Sequence, residues 1–447
     1  MKIKKIIIGT VMFVLLGVMA SVCAVRWRAW FGNPPEAPYQ VPAVPDRVML
    51  SMSPSHSQAW RRVSWRCDTI AREASVEVID CLMNDTVFYV AKGTSVSSRS
   101  GQQMYYQVDF PVEEGRFLYR VHNDSLCSSY YAFEVDNDGE WTVLLFGDLQ
   151  DEVAHPFATM LQEAIKLHPE VDMCAFTGDI VERPTDEYWN IWFASVAPIV
   201  GKVPIVACPG NHEHVKAWKR TLDQRFVATF GESVVEGSHG NAHYEWDNMT
   251  WSSLNTDVSF HIDELFRQKQ TMLREGWIHR NGKWNVLMMH HPFFPAAIER
   301  HTYIIREVFE PMVKEMGVHL VLNGHDHVYA RRVDKKNNLP VVPIYMVCNS
   351  SEKHYLANCD TGFDRIACGH RMYSLLRVTK DTLHILTYLA DTHVLYDEVL
   401  CRRAGDTILV EDNKPQLEEL LDVASRYEKP SKNKQRQQFL KKKAQRR

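Results

Sequence analysis

The sequence predicts an α/β protein: an N-terminal all-β sandwich followed by a layered α/β domain. Between residues 33 and 138, short apolar runs are bounded by Pro, Gly, Asn, Asp and Ser, the pattern of strands joined by tight turns. From Trp141 onward, continuous apolar runs alternate with segments of helical period, which indicates buried strands joined by crossover helices. The later runs end in Gly, Asp, Asn and His, where open α/β sheets build their sites.

In chain order, Lys2, Lys4 and Lys5 precede residues 6–25, which carry no charge. A cleaved signal has an apolar region of ~7–15 residues and a spanning helix needs ~20, so residues 1–28 are either a long signal peptide or a signal anchor. Val22-Cys23-Ala24 offers a small-residue cleavage site, whereas Trp27 and Trp30 suit an interfacial anchor. The lysines on the N-terminal side put the body outside the cytosol, as a periplasmic, cell-surface or secreted protein, with membrane anchoring through the N-terminus left open. Ten cysteines would then meet oxidising conditions. Cys359 and Cys368 bracket a polar loop and form the local disulfide candidate, while Cys174 and Cys208, inside apolar runs, are expected as buried thiols. Asn84, Asn123, Asn248 and Asn349 begin N-x-S/T patterns.

Seven strand-like runs fill the first region, at 47–52, 59–65, 74–79, 87–91, 102–110, 116–123 and 128–135. They hold no catalytic constellation. Next come a strand at 142–146 ending in Gly147-Asp148, a helix at 154–167, a strand at 171–176 reaching Gly178-Asp179, and a helix at 186–200. A strand at 203–207 runs into Gly210-Asn211-His212. The second half repeats the scheme with strands at 284–289 before His290 and at 318–322 before Gly324-His325-Asp326-His327, and a helix at 303–316 between them. Strands at 341–348, 373–378 and 382–387 follow, then an amphipathic helix at 415–427 within a C-terminal extension spanning 401–428. Residues 429–447 hold nine Lys/Arg and no acid, and are expected as a solvated disordered tail attracted to anionic surfaces only at low salt. Residues 29–428 carry 37 basic against 55 acidic side chains, so the body is a poor nucleic-acid binder.

The strand ends gather Asp148 and Gln150, Asp179, Asn211 and His212, His290, and His325 with His327. Carboxylate, amide oxygen and imidazole together suit zinc, iron or manganese better than calcium. With His212 set aside, the seven candidate ligands exceed what one ion with open water positions needs, and a carboxylate can bridge two ions ~3.5–4 Å apart. Taken singly, Asp148 and Asp179 would read as helix N-caps and the histidines as loop residues; the ordered set argues against that. His155, His214, His243 and His354 are expected to be satisfied or exposed, and Trp189, Trp192 and Trp218 to be core or rim.

The order Gly147-Asp148, Gly178-Asp179, Gly210-Asn211-His212-Glu213, Met289-His290-His291-Pro292 and Gly324-His325-Asp326-His327-Val328-Tyr329 resembles the calcineurin-like metallophosphoesterases, and within them the purple-acid-phosphatase branch. The resemblance covers about residues 47–388. It implies a fibronectin-III-like sandwich over 33–138 and a four-layer α/β/β/α catalytic domain over 141–400. It also implies two metal ions, one on Asp148, Asp179 and His327, the other on Asp179, Asn211, His290 and His325. The family supplies a further His two residues after the first Asp or a Tyr three residues after the second; here those positions are Gln150 and Glu182. By this reading Gln150 either donates its amide oxygen as the replacement ligand or holds a metal-bound water, and no tyrosinate colour is expected. The implied reaction is hydrolysis of a small phosphate monoester by a metal-activated water, with His212 contacting the phosphoryl group or donating a proton and His301, eleven residues after His290, protonating the leaving group. A phosphodiesterase or nucleotide hydrolase with the same site is the alternative, and an inactive binding protein is the alternative of another class.

Overall fold

The structure is a computed structural model, and it describes residues 2–54, 59–136, 138–153, 155–231, 240–257, 261–277, 282–334, 342–360, 362–405, 407–414 and 417–446. The first element is a helix, Lys2–Phe31. Its segment Thr10–Arg28 is long and apolar enough to cross a membrane and packs against nothing in the body.

All seven strand-like runs of the N-terminal region appear as strands, the last of them shortened to Tyr131–Val135, with a two-residue strand, Leu126–Cys127, just before that run. An additional strand, Lys92–Ser98, is too polar to stand out by pattern. Two sheets face each other across Val48, Leu50, Val63, Trp65, Tyr106 and Phe110 on one side and Val76, Val78, Phe117, Tyr119, Val121 and Phe133 on the other. One of these sheets is not confined to the region. Strand Asp46–Met52 pairs antiparallel with Trp60–Cys67 and parallel with Ile205–Ala207, with Ser51 opposite Ile205, so an eleven-stranded sheet runs from the N-terminal region through the α/β core. Six of the seven residues of Asp46–Met52 are buried, as an internal strand requires.

A buried ion network fixes the same junction. Asp186, at the start of helix Asp186–Val196, meets Arg47 at 3.0 Å, Arg66 at 2.9 Å and Arg225 at 2.9 Å, and accepts from the Ser100 hydroxyl. Arg66 also pairs with Asp46 at 2.6 Å, and Arg225 with Glu36 at 2.6 Å. Burial opposes charge on Asp186, but the arginines hold it below the usual carboxylate range.

The core has four layers, and alternation along each strand shows why. In Trp141–Phe146 and Met173–Phe176, Val143, Leu145, Met173 and Ala175 face Val286, Met288, Leu320, Leu322, Ile344 and Met346 of a second, seven-stranded sheet. Their neighbours Leu144, Phe146, Cys174 and Phe176 point outward, beneath helices His155–Leu167 and Asp186–Val196, where Trp189 and Trp192 are buried. Leu287, Met289, Val321 and Tyr345 lie beneath Ile262–Arg274 and Tyr303–Met316 on the opposite face. Trp218 is exposed. Strands Leu395–Ala404 and Thr407–Asp412 extend the first sheet beyond the expected set. The expected starts of helix 154–167 and strand 341–348 lie outside the described residues.

Three expectations at the C-terminal end and among the cysteines are corrected. Of the helix expected at 415–427, residues 415 and 416 lie outside the described residues and only the 3-10 turn Ser425–Tyr427 is helical. The basic tail is not a solvated end: Asn433–Arg446 is a helix docked on the body. Phe439 is fully buried among Leu421, Tyr427 and Ile366, and Arg446 forms a two-pronged pair with Glu419 at 2.6 and 2.7 Å. Composition registers the nine charges but not the buried aromatic or the polar contacts to Glu419, Glu299 and the Leu421 carbonyl that hold the helix down. Finally, all ten cysteines are free thiols, including Cys359 and Cys368, both buried. Truncation Phe439→Ala should remove about 3–5 kcal/mol of packing. The measurement is limited trypsin digestion, which should cleave within the tail at least ~100-fold faster than in wild type.

Candidate metal centre

The centre is built where strands stop. Asp148 and Gln150 follow Trp141–Phe146, Asp179 follows Met173–Phe176, Asn211 and His212 follow Ile205–Ala207, His290 follows Trp284–Met289, and His325 and His327 follow Leu320–Asn323. Five of these residues occupy the left-handed region, with φ of 52° at Asp148, 42° at Gln150, 52° at Asp179, 75° at His325 and 47° at His327. Side chains other than Gly rarely adopt it, and its concentration here marks loops bent to aim functional groups. Gly178, at φ 86°, lets three loops close up: a Cβ there would lie 2.8 Å from both the Gly210 nitrogen and His290 Nδ1.

Each side chain is oriented by a partner on its outer side. The His325 backbone N–H donates to Asp148 Oδ1 at 2.8 Å, leaving Oδ2 buried without a hydrogen-bond partner. The His212 N–H donates to Asp179 Oδ1 at 2.8 Å, so Oδ2 faces inward, 3.1 Å from His290 Nε2. His290 Nδ1 donates to the Thr177 carbonyl at 2.9 Å, and His327 Nδ1 donates to Ser351 Oγ at 3.0 Å, which turns both Nε2 atoms toward the centre. His325 Nδ1 lies 3.0 Å from Asn211 Oδ1 and 3.2 Å from His290 Nε2. Asp179, His290 and His325 thus offer ligand atoms within 4.8 Å of one another. Gln150 Nε2 donates to Asp179 Oδ2 at 2.7 Å, and its amide oxygen accepts from the Lys353 ammonium at 2.7 Å.

Electrostatically the centre couples buried carboxylates to buried imidazoles. Burial, reinforced by Asp179, lifts Asp148 to about 7. Burial opposes charge on His290, but the Asp179 and Asp148 carboxylates raise it to about 10, and the same pairing holds Asp179 far below its usual value. Burial keeps His325 and His327 well below their usual range, so both rings are neutral and carry a lone pair.

These groups open into a cleft of about 600 Å³, lined also by His212, Arg220, Arg300, His301 and Lys353. His301 is exposed on the wall and stacks on Tyr303, with ring centroids 5.4 Å apart. His214 and His354 are satisfied: His214 bonds the Gly210 carbonyl at 2.8 Å and His354 faces the Asn349 amide at 3.0 Å. His243 stacks on Trp277.

Glu213, quoted only as part of a motif, turns out to brace two loops. It accepts from the backbone N–H groups of Asp179 at 2.9 Å, Val181 at 3.1 Å and Gly210 at 2.6 Å, and burial beside Asp179 raises it to about 8. Its place after Gly210-Asn211-His212 was the available signal. Arg300 and Lys353 were missed as well, because single cations in loops carry no pattern.

Residues 142–329 match the family model of the calcineurin-like phosphoesterases. The chain is 25% identical over 186 residues to purple acid phosphatase 15 of Arabidopsis thaliana, covering 39% of this chain and 34% of that protein. It is 23% identical over 322 residues to purple acid phosphatase 23 of the same plant, covering 67% of this chain and 66% of that protein. The match therefore spans about a third of the first relative's length and just under two thirds of the second's. A solved structure of purple acid phosphatase PPD1 from yellow lupin, Lupinus luteus, superposes with a TM-score of 0.64 at 14% identity, covering 82% of this chain and 77% of that one, a likeness of fold. Motif order, layered architecture and these likenesses agree that residues 142–329 are a calcineurin-like phosphoesterase domain, in a chain whose homologues are purple acid phosphatases.

Proposed function

We propose that the chain hydrolyses small phosphate monoesters at a two-ion centre outside the cytosol, with residues 33–138 as a fibronectin-III-like support and 141–400 as the catalytic region. The observation that carries this is the convergence of Asp179 Oδ2, His290 Nε2 and His325 Nδ1, three ligand atoms with no covalent reason to approach so closely. The donor set fits a metal: the neutral imidazoles of His325 and His327, the Asn211 amide oxygen, and the unpartnered Asp148 Oδ2. Asp148, Asp179 and His327 would hold one ion and Asp179, Asn211, His290 and His325 the other. Ions of zinc, iron or manganese bound there supply Lewis acidity and a water acidic enough to attack at neutral pH.

The chain's own groups supply the rest. Arg300 Nη1 donates to His325 Nε2 at 2.9 Å. With Nδ1 as a ligand, the ring proton sits on Nε2 and Arg300 loses that acceptor, which leaves its guanidinium to receive an anionic phosphoryl group in the cleft. His212 is anchored through Nδ1 to the Glu182 carbonyl and presents Nε2 to the same space. His301 lines the wall beyond them and is the proposed donor to the leaving oxygen. The apolar helix at the N-terminus supports export or anchoring.

The test is the paired rate of p-nitrophenyl phosphate and bis(p-nitrophenyl) phosphate hydrolysis, with elemental analysis of the same sample. Faster monoester turnover with about two ions per chain is expected. Faster diester turnover would replace the monoesterase by a diesterase, and absence of ions and of activity after reconstitution would favour an inactive binding protein.

A further inference from the structure

The two positions at which this chain departs from the family's ligand pattern converge on one side chain. Lys353 Nζ donates to Gln150 Oε1 at 2.7 Å and stands 3.7 Å from Glu182 Oε2. An amide oxygen and a carboxylate in place of the two alternative metal ligands thus form a cradle for an ammonium. The lysine is not a loose surface group. Its backbone N–H donates to Ser351 Oγ at 3.2 Å, the hydroxyl that orients His327, and the same hydroxyl reaches the Lys353 carbonyl at 3.2 Å. One short loop therefore carries both the orienting group of a ligand histidine and the cation beside it.

An ammonium and a divalent ion compete for the lone pairs of Gln150's amide oxygen, and like charges in a low-dielectric cleft repel. At the other position the nearby cation, Arg300, approaches His325 at Nε2, the nitrogen turned away from Asn211 and His290. That position keeps its full set of four ligands.

We propose that Lys353 makes the two ion positions unequal: the ion on Asp179, Asn211, His290 and His325 is held tightly, and the ion on Asp148, Asp179 and His327 weakly. Lys353 is a positioning residue that occupies Gln150 and adds a fixed positive charge where the family's pattern supplies another ligand. The proposal rests on the two-ion reading above.

The test is titration of the metal-stripped full chain in detergent with Zn²⁺, by calorimetry and by competition with a chromophoric chelator. Wild type should show two classes of site separated by at least ~100-fold in Kd, and Lys353→Met and Lys353→Gln should tighten the weaker class at least ~10-fold while leaving the tighter class within about threefold. Lys353→Arg, which keeps the charge, should keep the gap. Two classes of equal affinity in wild type, or a weaker class unchanged in both neutral variants, would overturn the proposal. If equal classes accompany phosphate release, only this proposal falls; if no zinc binds and no phosphate is released, the two-ion reading falls with it.

Discussion

Replacing Asp179 by Asn should lower kcat/KM on p-nitrophenyl phosphate by at least ~10³-fold, equivalent to about 4 kcal/mol of transition-state stabilisation. The argument is geometric and electrostatic. Asp179 is the carboxylate common to both proposed ligand sets: His212 N–H holds Oδ1, and Oδ2 faces His290 Nε2 at 3.1 Å. An amide keeps the shape but loses the charge, and its NH₂ group turned inward would face His290. The backbone should tolerate the change, because Asn adopts the left-handed φ of 52° found at this position more readily than most residues. A loss of metal by elemental analysis, with an unchanged far-ultraviolet circular dichroism spectrum, should accompany the loss of rate. Retention of more than about a tenth of wild-type kcat/KM would remove Asp179 from the mechanism.

The second large effect is on stability. Asp186→Ala should destabilise the protein by about 3–5 kcal/mol, because it leaves Arg47, Arg66 and Arg225 buried without their shared carboxylate. Arg66 and Arg225 are almost completely inaccessible to water, so solvent cannot replace the lost partner. Asp186→Asn separates charge from shape: it keeps the volume and one acceptor, and should still cost more than half as much. Differential scanning calorimetry is the measurement, with an expected fall in the thermal midpoint of about 5 °C for the alanine variant. A midpoint within about 2 °C of wild type would mean that Asp46, Asp223 and Glu36 neutralise the arginines on their own.

Much of this molecule was legible in its sequence, and the limits have physical causes. Strands 142–146 and 284–289 and helix 303–316 stand out because their apolar period matches their environment, buried on both faces or on one. The residues Asp148, Asp179, Asn211, His290, His325 and His327 stand out because each sits just past such a strand, often beside a Gly. The pairing of Asp46–Met52 with Ile205–Ala207 was not readable, since nothing local in either segment names a partner so distant along the chain. Lys92–Ser98 pairs by its backbone while only Val96 among its side chains is buried, so no apolar pattern marks it. The tail misled because charge density is a property of the whole segment, whereas docking uses particular contacts: Phe439 in the core, Arg446 on Glu419, Gln435 on Glu299 and Lys443 on the Leu421 carbonyl. Lys353 became meaningful only when the fold carried it to Gln150.

The unbroken eleven-stranded sheet changes what the N-terminal region is for. Ile205–Ala207 is the last of three parallel strands of the core, and Asp46–Met52 occupies its outer hydrogen-bonding side. Without that cover, the core would present a bare apolar edge, a template for pairing with another chain. The N-terminal β region is therefore a seal and not a passenger. Severing the chain near residue 140 would leave the loops of the candidate metal site on a fragment prone to join its own copies edge to edge.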